Sequence, residues 1–199
     1  MAQPQIVNGM DDSPRGKLLS AAARLFRARG FDRTTVRDIA RETGIQSGSL
    51  FHHFSSKEDI LFTVMMEVIR FNTARLQEAV QGVADPVAQL RGLTRAELQS
   101  IVGDTAEAMT VLVYEWRCLA AEHQEQALAA RAVYERIWLD TLHAVRDAGG
   151  MRADPVIVRR LINGMTSWAS NWFDPAGSLD IDGLAEQILH RVIGEPASP

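Results

Sequence analysis

The sequence predicts an all-α protein of about nine helices. Three observations carry this expectation. Apolar residues recur every three or four positions along almost the whole chain, no segment alternates with period two, and the apolar stretches open on Ser, Thr or Asp and close on Gly. Of the 199 residues 46% are hydrophobic, enough for a core without disulfides. The one cysteine, Cys118, falls in an apolar helical run as a small packing residue.

Taken in order, Ser13-Pro14 supplies an N-cap and a first-turn proline. Leu18, Leu19, Ala22, Leu25 and Phe26 then share one helix face, and Gly30 ends that helix. Thr34 or Thr35 caps the second helix, with Asp38 three residues after Thr35 as in a capping box, and Val36, Ile39 and Ala40 form its inner face. Gly44 turns the chain, and Ile45, Leu50 and Phe54 pack a third helix on the first two. Ser55-Ser56-Lys57-Glu58 repeats the capping pattern and opens a long helix through Ile60, Leu61, Val64, Met65, Val68, Ile69 and Leu76 to about Gly82.

Asp85-Pro86 starts the next helix, which runs to about Gly103. Asp104 or Thr105 starts another through Met109, Leu112, Val113 and Trp116. Residues 123–148 form a long amphipathic helix closed by Gly149-Gly150. Asp154-Pro155 begins a helix running to Phe173, Asp174-Pro175-Ala176-Gly177 breaks it, and Asp180 or Asp182 begins a last one up to Gly194. Residues 1–12 read as a disordered arm and residues 195–199 as a loose tail.

The net charge of −4 conceals an asymmetry. Residues 13–57 hold nine basic side chains and three acidic ones, while residues 58–199 hold twelve basic and twenty acidic. A basic N-terminal head on an acidic body is the footprint of a phosphate-binding module. Two short helices joined at Gly44, followed by a capped third start, is the layout of a helix-turn-helix whose second helix lies in the DNA major groove.

The reading helix needs small or polar groups at its exposed start, and Gln46, Ser47, Gly48 and Ser49 meet that need. A glycine inside a helix costs about 1 kcal/mol against alanine. Gly48 is therefore expected where backbone must approach DNA closely. His52 and His53 stand about 100° apart around a helix, a poor geometry for sharing a metal ion. They are expected as groove or phosphate contacts. Thr34 and Thr35 offer hydroxyls and free N–H groups at a helix N-terminus, Arg37 points from that end, and Lys57 would hold a phosphate on the flank.

Residues 15–62 resemble the DNA-binding domain of the TetR family of bacterial transcriptional regulators. The resemblance runs through Gly30-Phe31, Thr34 to Ala40, Gly44-Ile45, Ser47-Gly48-Ser49-Leu50, His53-Phe54 and Lys57 to Leu61. This chain has Phe51 where the family usually has a tyrosine. The apolar half of that contact survives and its hydrogen bond to phosphate is lost. The resemblance implies a helix-turn-helix domain at 13–57 and a ligand-binding and dimerisation domain at 58–194. It also implies a homodimer built from residues ~155–173 and ~181–193. In those segments Val158, Leu161, Ile162, Met165, Trp168 and Trp172, and then Ile181, Leu184, Ile188, Leu189 and Val192, cover more than one helix face.

All four tryptophans lie in the acidic body, together with Met65, Met66, Met109 and Met165. Rigid Trp and adaptable Met suit a roomy apolar pocket. Its expected lining is drawn from Phe62, Met65, Ile69, Met109, Val113, Trp116, Arg117, Tyr134, Trp138 and Trp168. Arg117 either pairs with Glu115 or Glu122 or binds an anionic group of the effector. Trp138-Leu139-Asp140 and the run from Trp168 to Gly177 are similar to TetR-type regulators of fatty-acid and steroid-ring breakdown, which sense acyl-CoA thioesters. For the phosphates of such a ligand the chain offers Arg70, Arg75, Arg131, Arg136, Arg159 and Arg160.

The expected function is a repressor released from a palindromic operator by a small hydrophobic or acyl-CoA-type effector. The alternative is an architectural DNA binder with no effector. No H-E-x-x-H, P-loop, dinucleotide fingerprint or nucleophile elbow is present, and His123, His143 and His190 are dispersed, so neither an enzyme nor a cofactor or metal site is expected. No apolar run reaches the ~18 residues that cross a bilayer, and the N-terminus lacks signal-peptide character, so a cytoplasmic protein is expected.

Overall fold

The computed structural model describes residues 10–50 and 53–193, without the side chains of Ser47 and Ser49. The expectations for Phe51, His52, those two serine side chains, residues 1–9 of the arm and the tail from 194 onward lie outside the described residues. Nine α-helices stand among the described residues: α1 (Pro14–Arg29), α2 (Val36–Thr43), α3 (Ser47–Leu50), α4 (Lys57–Val80), α5 (Pro86–Val102), α6 (Ala106–Tyr114), α7 (Ala121–Asp147), α8 (Pro155–Ala169) and α9 (Ile181–Ile193). A 3₁₀ turn at Trp116–Cys118 lies between α6 and α7.

Local chemistry sets the helix starts. Ser13, Asp85 and Asp154 each accept N–H bonds from the first turn that follows, with proline at the first helical position. Thr35 and Asp38 form a full capping box on α2. Gly44 ends α2 at φ +70°, a left-handed conformation that costs any L side chain roughly 1–2 kcal/mol.

Four details differ from the sequence expectation. The acid that caps α4 is Asp59 and not Glu58. Its N–H donates to Ser56 Oγ at 3.0 Å, and its carboxylate accepts from Ser55 N at 2.8 Å. Glu58 instead reaches the start of α7, where it accepts from Ala120 N at 3.0 Å and pairs with His123 Nδ1 at 2.8 Å. The helix begun at Pro155 stops at Ala169, short of Phe173, where the N–H groups of Asn171 and Trp172 bond carbonyls three residues back and Ser170 Oγ takes the Ser167 carbonyl. Trp116 sits in the 3₁₀ turn and not in α6. Finally, the arm is not loose through residue 12. Met10 is buried in the core, and a side chain at Gly16 would collide with the Asp11 carbonyl.

The chain forms two compact units. One comprises Met1–Phe71 and Asp104–Arg131, the other Asn72–Gly103 and Ala132–Pro199. α4 and α7 each contribute residues to both. In the first unit, α1 packs on α2 with one face and on α6 with another. Leu18, Leu19, Phe26, Ile39, Leu50, Phe54, Leu61 and Met65 share a core with Val111, Leu112 and Leu119. The second apolar face of α1 is covered by α6. In the second unit, α5 packs on α8 and α9, and Leu76, Leu90, Leu93, Leu98, Trp138, Leu142, Val158, Ile162 and Ile188 fill the core.

Candidate nucleic-acid interface

The core below α2 and α3 fixes which side chains can reach out. Ile39, Ala40, Leu50 and Phe54 are buried. This leaves Thr35, Arg37, Gln46, Gly48 and His53 exposed around the turn at Gly44. Arg37 has no ion-pair partner among the described residues. No described atom lies within 4 Å of where a Gly48 Cβ would stand. Among the described residues, no contact calls for a glycine at this position.

Two of the predicted contacts are directed inward. Thr34 is fully buried, its hydroxyl donating to the carbonyls of Gly30 at 2.9 Å and Leu25 at 3.3 Å. It closes the α1–α2 loop and presents no hydroxyl to a phosphate. Lys57 donates through Nζ to the carbonyls of Phe31 at 2.7 Å and Thr34 at 2.9 Å, with its ammonium 4.1 Å from the centroid of the Phe31 ring. Thr35 remains at the surface but is engaged, because its hydroxyl donates to Asp38 Oδ2 at 2.6 Å.

The basic excess is partly spent inside the unit. Arg15 pairs with Glu67 at 3.1 Å, Arg24 with Glu42 at 3.6 Å, Arg27 with Glu107 at 4.0 Å, and Arg29 with Asp38 at 3.8 Å. Arg41 also bonds Asp38, and Arg33 Nε donates to the Arg29 carbonyl at 2.8 Å. The first unit as a whole carries twelve basic and thirteen acidic residues. The positive field belongs to the surface of the first three helices and not to the unit.

The hydroxyl and backbone N–H of Thr35, then Arg41 and Arg29, hold the Asp38 carboxyl below its ordinary value of 3.8. A carboxylate depressed in the folded state stabilises the fold above its unfolded pKa and loses that contribution as pH falls through the folded value. Helix α2 is thus expected to keep its cap through mildly acidic conditions and to lose it below pH 3.8. Amide protection of Thr35, whose N–H donates to the Asp38 carboxylate, measured across pH 5 to 2 checks this, and a loss already complete at pH 5 would contradict it.

The effector candidates divide between the two units. Met65 and Ile69 are buried in the first core, with Phe62, Met109 and Trp116 packed against it. Phe62 stacks on His123 at 3.9 Å. Val113 and Arg117 lie exposed, and Arg117 pairs with neither Glu115 nor Glu122. Glu115 is occupied elsewhere: it accepts from Phe31 N at 3.2 Å and from the Cys118 thiol at 3.6 Å. Burial and that carboxylate push the thiol pKa up, so Cys118 stays protonated.

Tyr134 and Trp138 belong to the second unit, and Trp168 there is 66% exposed. Trp138 is fully buried beneath the Arg159 guanidinium, 4.3 Å from its ring. Arg159 was a phosphate candidate on sequence, but its charge is consumed internally. Its Nη2 meets Glu97 Oε2 and its Nε meets Glu135 Oε2, each at 2.9 Å. Thr166 Oγ1 donates to Glu97 at 2.7 Å and the Tyr134 hydroxyl donates to it at 2.9 Å. Burial works to discharge the guanidinium, but the two carboxylates outweigh it and hold Arg159 above its ordinary value. Burial, then Glu97, push the Tyr134 hydroxyl well up, so it remains a donor. Among the other phosphate candidates, Arg70 pairs with Glu67 at 3.7 Å and Arg75 reaches Ser100 Oγ at 3.5 Å, while Arg131, Arg136 and Arg160 are exposed.

Sequence reasoning missed Glu97 and the partner of Glu115. The first had a legible signal: in α5 it continues the buried register of Leu90, Leu93 and Thr94, where an acid requires a partner. Glu115 had none, because its partner Phe31 lies 84 positions away.

A compact head that exposes the turn side of α2 and α3 defines a helix-turn-helix transcriptional regulator. A model of the bacterial regulatory proteins of the tetR family matches residues 18–64, and one of the tetracyclin repressor-like C-terminal domain matches residues 83–194. The HTH-type transcriptional repressor KstR2 of Mycobacterium tuberculosis is 36% identical over 194 residues, covering 94% of this chain and 95% of the relative. The solved structure of KstR2, described as a ketosteroid transcriptional regulator, matches at a TM-score of 0.82 and 32% identity over 96% of this chain and 97% of its own. A structure described as the superantigen PfiT matches at 0.81 and 50% identity, covering 93% and 98%. AibR, solved with isovaleryl coenzyme A and operator DNA, matches at 0.82 and 24% identity over 92% of this chain and 100% of its own, a likeness of fold. The chain belongs to the TetR family of bacterial regulatory proteins.

Proposed function

We propose that this protein is a homodimeric, effector-responsive repressor. In this reading residues 13–57 read a palindromic operator, and residues 58–194 hold the effector and the sister subunit. The effector is a small hydrophobic molecule or an acyl-CoA thioester. The 36% identity to a repressor whose structure is described as a ketosteroid regulator supports that class, as do the tryptophan-containing segments around Trp138 and Trp168. Family membership favours a regulator over an enzyme. Among the described residues no helix is long and apolar enough to cross a membrane, in keeping with a protein that meets DNA in the cytoplasm.

A stripe of exposed apolar residues on α8 supports the dimer. Ile157 and Leu161 are each 53% exposed and Trp168 is 66% exposed, at helical spacing on a face separate from the buried Val158, Ile162 and Thr166. Nothing described lies within 4 Å of a Cβ at Gly164, on the same stripe, which leaves room for a second helix.

The observation that carries the DNA-binding reading is Gly48, a helical glycine in open space two residues from the exposed Gln46. Gly48→Ala is expected to leave thermal stability unchanged or raise it by about 1 kcal/mol. It should also weaken binding to a duplex selected from random sequence by the wild-type chain at least tenfold, as about 1.4 kcal/mol of lost approach would do. Fluorescence anisotropy with wild type and variant measures both ends. Equal affinity would remove the close-approach argument, and a wild type that enriches no sequence would refute the reading. A panel of acyl-CoA thioesters then separates the effector-responsive protein from an architectural binder. Release of the selected duplex by one of them is expected, and retention throughout favours the architectural alternative.

A further inference from the structure

The leading loop of the helix-turn-helix is held by two residues that lie outside its three helices. Phe31 follows Gly30, where the chain leaves α1 with φ +81°. Its N–H donates to Glu115 Oε1 at 3.2 Å, and its carbonyl accepts from Lys57 Nζ at 2.7 Å. The same ammonium reaches the Thr34 carbonyl at 2.9 Å and the Asp32 carbonyl at 3.4 Å, and it rests on the Phe31 ring. Three carbonyl oxygens take up the three N–H bonds of the ammonium. A phosphate could be engaged only by releasing one of them. Thr34 leads directly into Thr35, the cap of α2, and α2 leads through Gly44 into α3. The placement of this loop therefore sets the placement of the helix that reads bases.

We infer that Lys57 is a positioning residue for operator reading and not a phosphate contact, and that Glu115 is the opposing jaw of the same clamp on Phe31. The inference rests on the DNA-binding reading above. The clamp ties the reading pair to the first residue of α4 on one side and to the junction of α6 with the 3₁₀ turn on the other. It acts through geometry, so its loss falls on sequence discrimination, whereas loss of a phosphate contact falls on all DNA alike.

The test compares wild type, Lys57→Arg, Lys57→Met and Glu115→Ala on the selected duplex and on a scrambled duplex across a salt series. For Lys57→Met the specificity ratio is expected to drop about tenfold while the slope of log K against log salt stays unchanged, since one lost phosphate contact would lower that slope by about 0.9. Lys57→Arg restores the ratio. Glu115→Ala removes no cation, yet it lowers the ratio similarly and speeds hydrogen exchange at the Phe31 amide. Equal losses on both duplexes with the lower slope would overturn the inference, and so would an unchanged ratio in either variant. If Lys57→Met does not fold, Glu115→Ala decides by the same ratio. Failure of the clamp leaves wild-type selection intact, whereas failure of the DNA-binding reading abolishes it.

Discussion

Glu97→Ala is expected to destabilise the protein by about 3–5 kcal/mol, the cost of breaking a buried ion pair from one side. Glu97 and Arg159 are 3% and 5% exposed, and the carboxylate receives Arg159, Tyr134 and Thr166 at once. These residues come from α5, α7 and α8, so one side chain ties three helices. Removing it leaves the guanidinium with Glu135 alone, whose side chain is 40% exposed and well screened. The half-buried Tyr134 hydroxyl loses its acceptor as well, while Thr166 keeps the Ile162 carbonyl at 3.0 Å. For a chain of this size a loss of 3 kcal/mol lowers Tm by roughly 6–12 °C. Urea titration followed by tryptophan fluorescence reports it directly, because Trp138 lies under Arg159. The paired replacement Glu97→Leu with Arg159→Met is expected to be more stable than either single change, since it buries no unpaired charge. A Glu97→Ala protein within 1 kcal/mol of wild type would show that the network contributes little.

The double variant Leu161→Asp with Trp168→Asp is expected to convert the dimer to a monomer and to cut operator affinity by about 100-fold or more. Both side chains already stand in solvent in the single chain, so the changes leave its core untouched. In a sister-subunit interface each would bury an unpaired carboxylate, and two such groups exceed what the remaining apolar contacts of one helix supply. A monomer presents one head and forfeits the effective concentration that holds the second head at its half-site, commonly a factor of 10² to 10⁴. Sedimentation equilibrium together with binding to full and half operators separates the two effects. Affinity for an isolated half-site should be unchanged. A variant that remains dimeric would move the interface away from α8.

The helices and their starts were legible because they depend on neighbours in sequence. Ser13-Pro14, Asp85-Pro86, Asp154-Pro155 and the Thr35–Asp38 box each act within one turn, and Gly44 acts at one residue. The helix-turn-helix was legible for the same reason, since its spacing is set locally. Phe173 was mistaken for part of α8 because propensity does not register Ser170 and Asn171 capturing backbone carbonyls. Thr34 and Lys57 were assigned to DNA on position alone, and the partners that turn them inward, Leu25, Gly30 and Phe31, are fixed only when α1, α2 and α4 converge.

The sequence by itself determined the all-helical architecture, the basic reading head and the membership those residues imply, because helix periodicity, caps and turn glycines are short-range chemistry. Tertiary structure alone decided which charges are free. Arg159 went from phosphate candidate to buried strut, and Lys57 from surface cation to loop clamp. A charged group takes its role from the groups that surround it in space, and those partners lie tens of residues away along the chain.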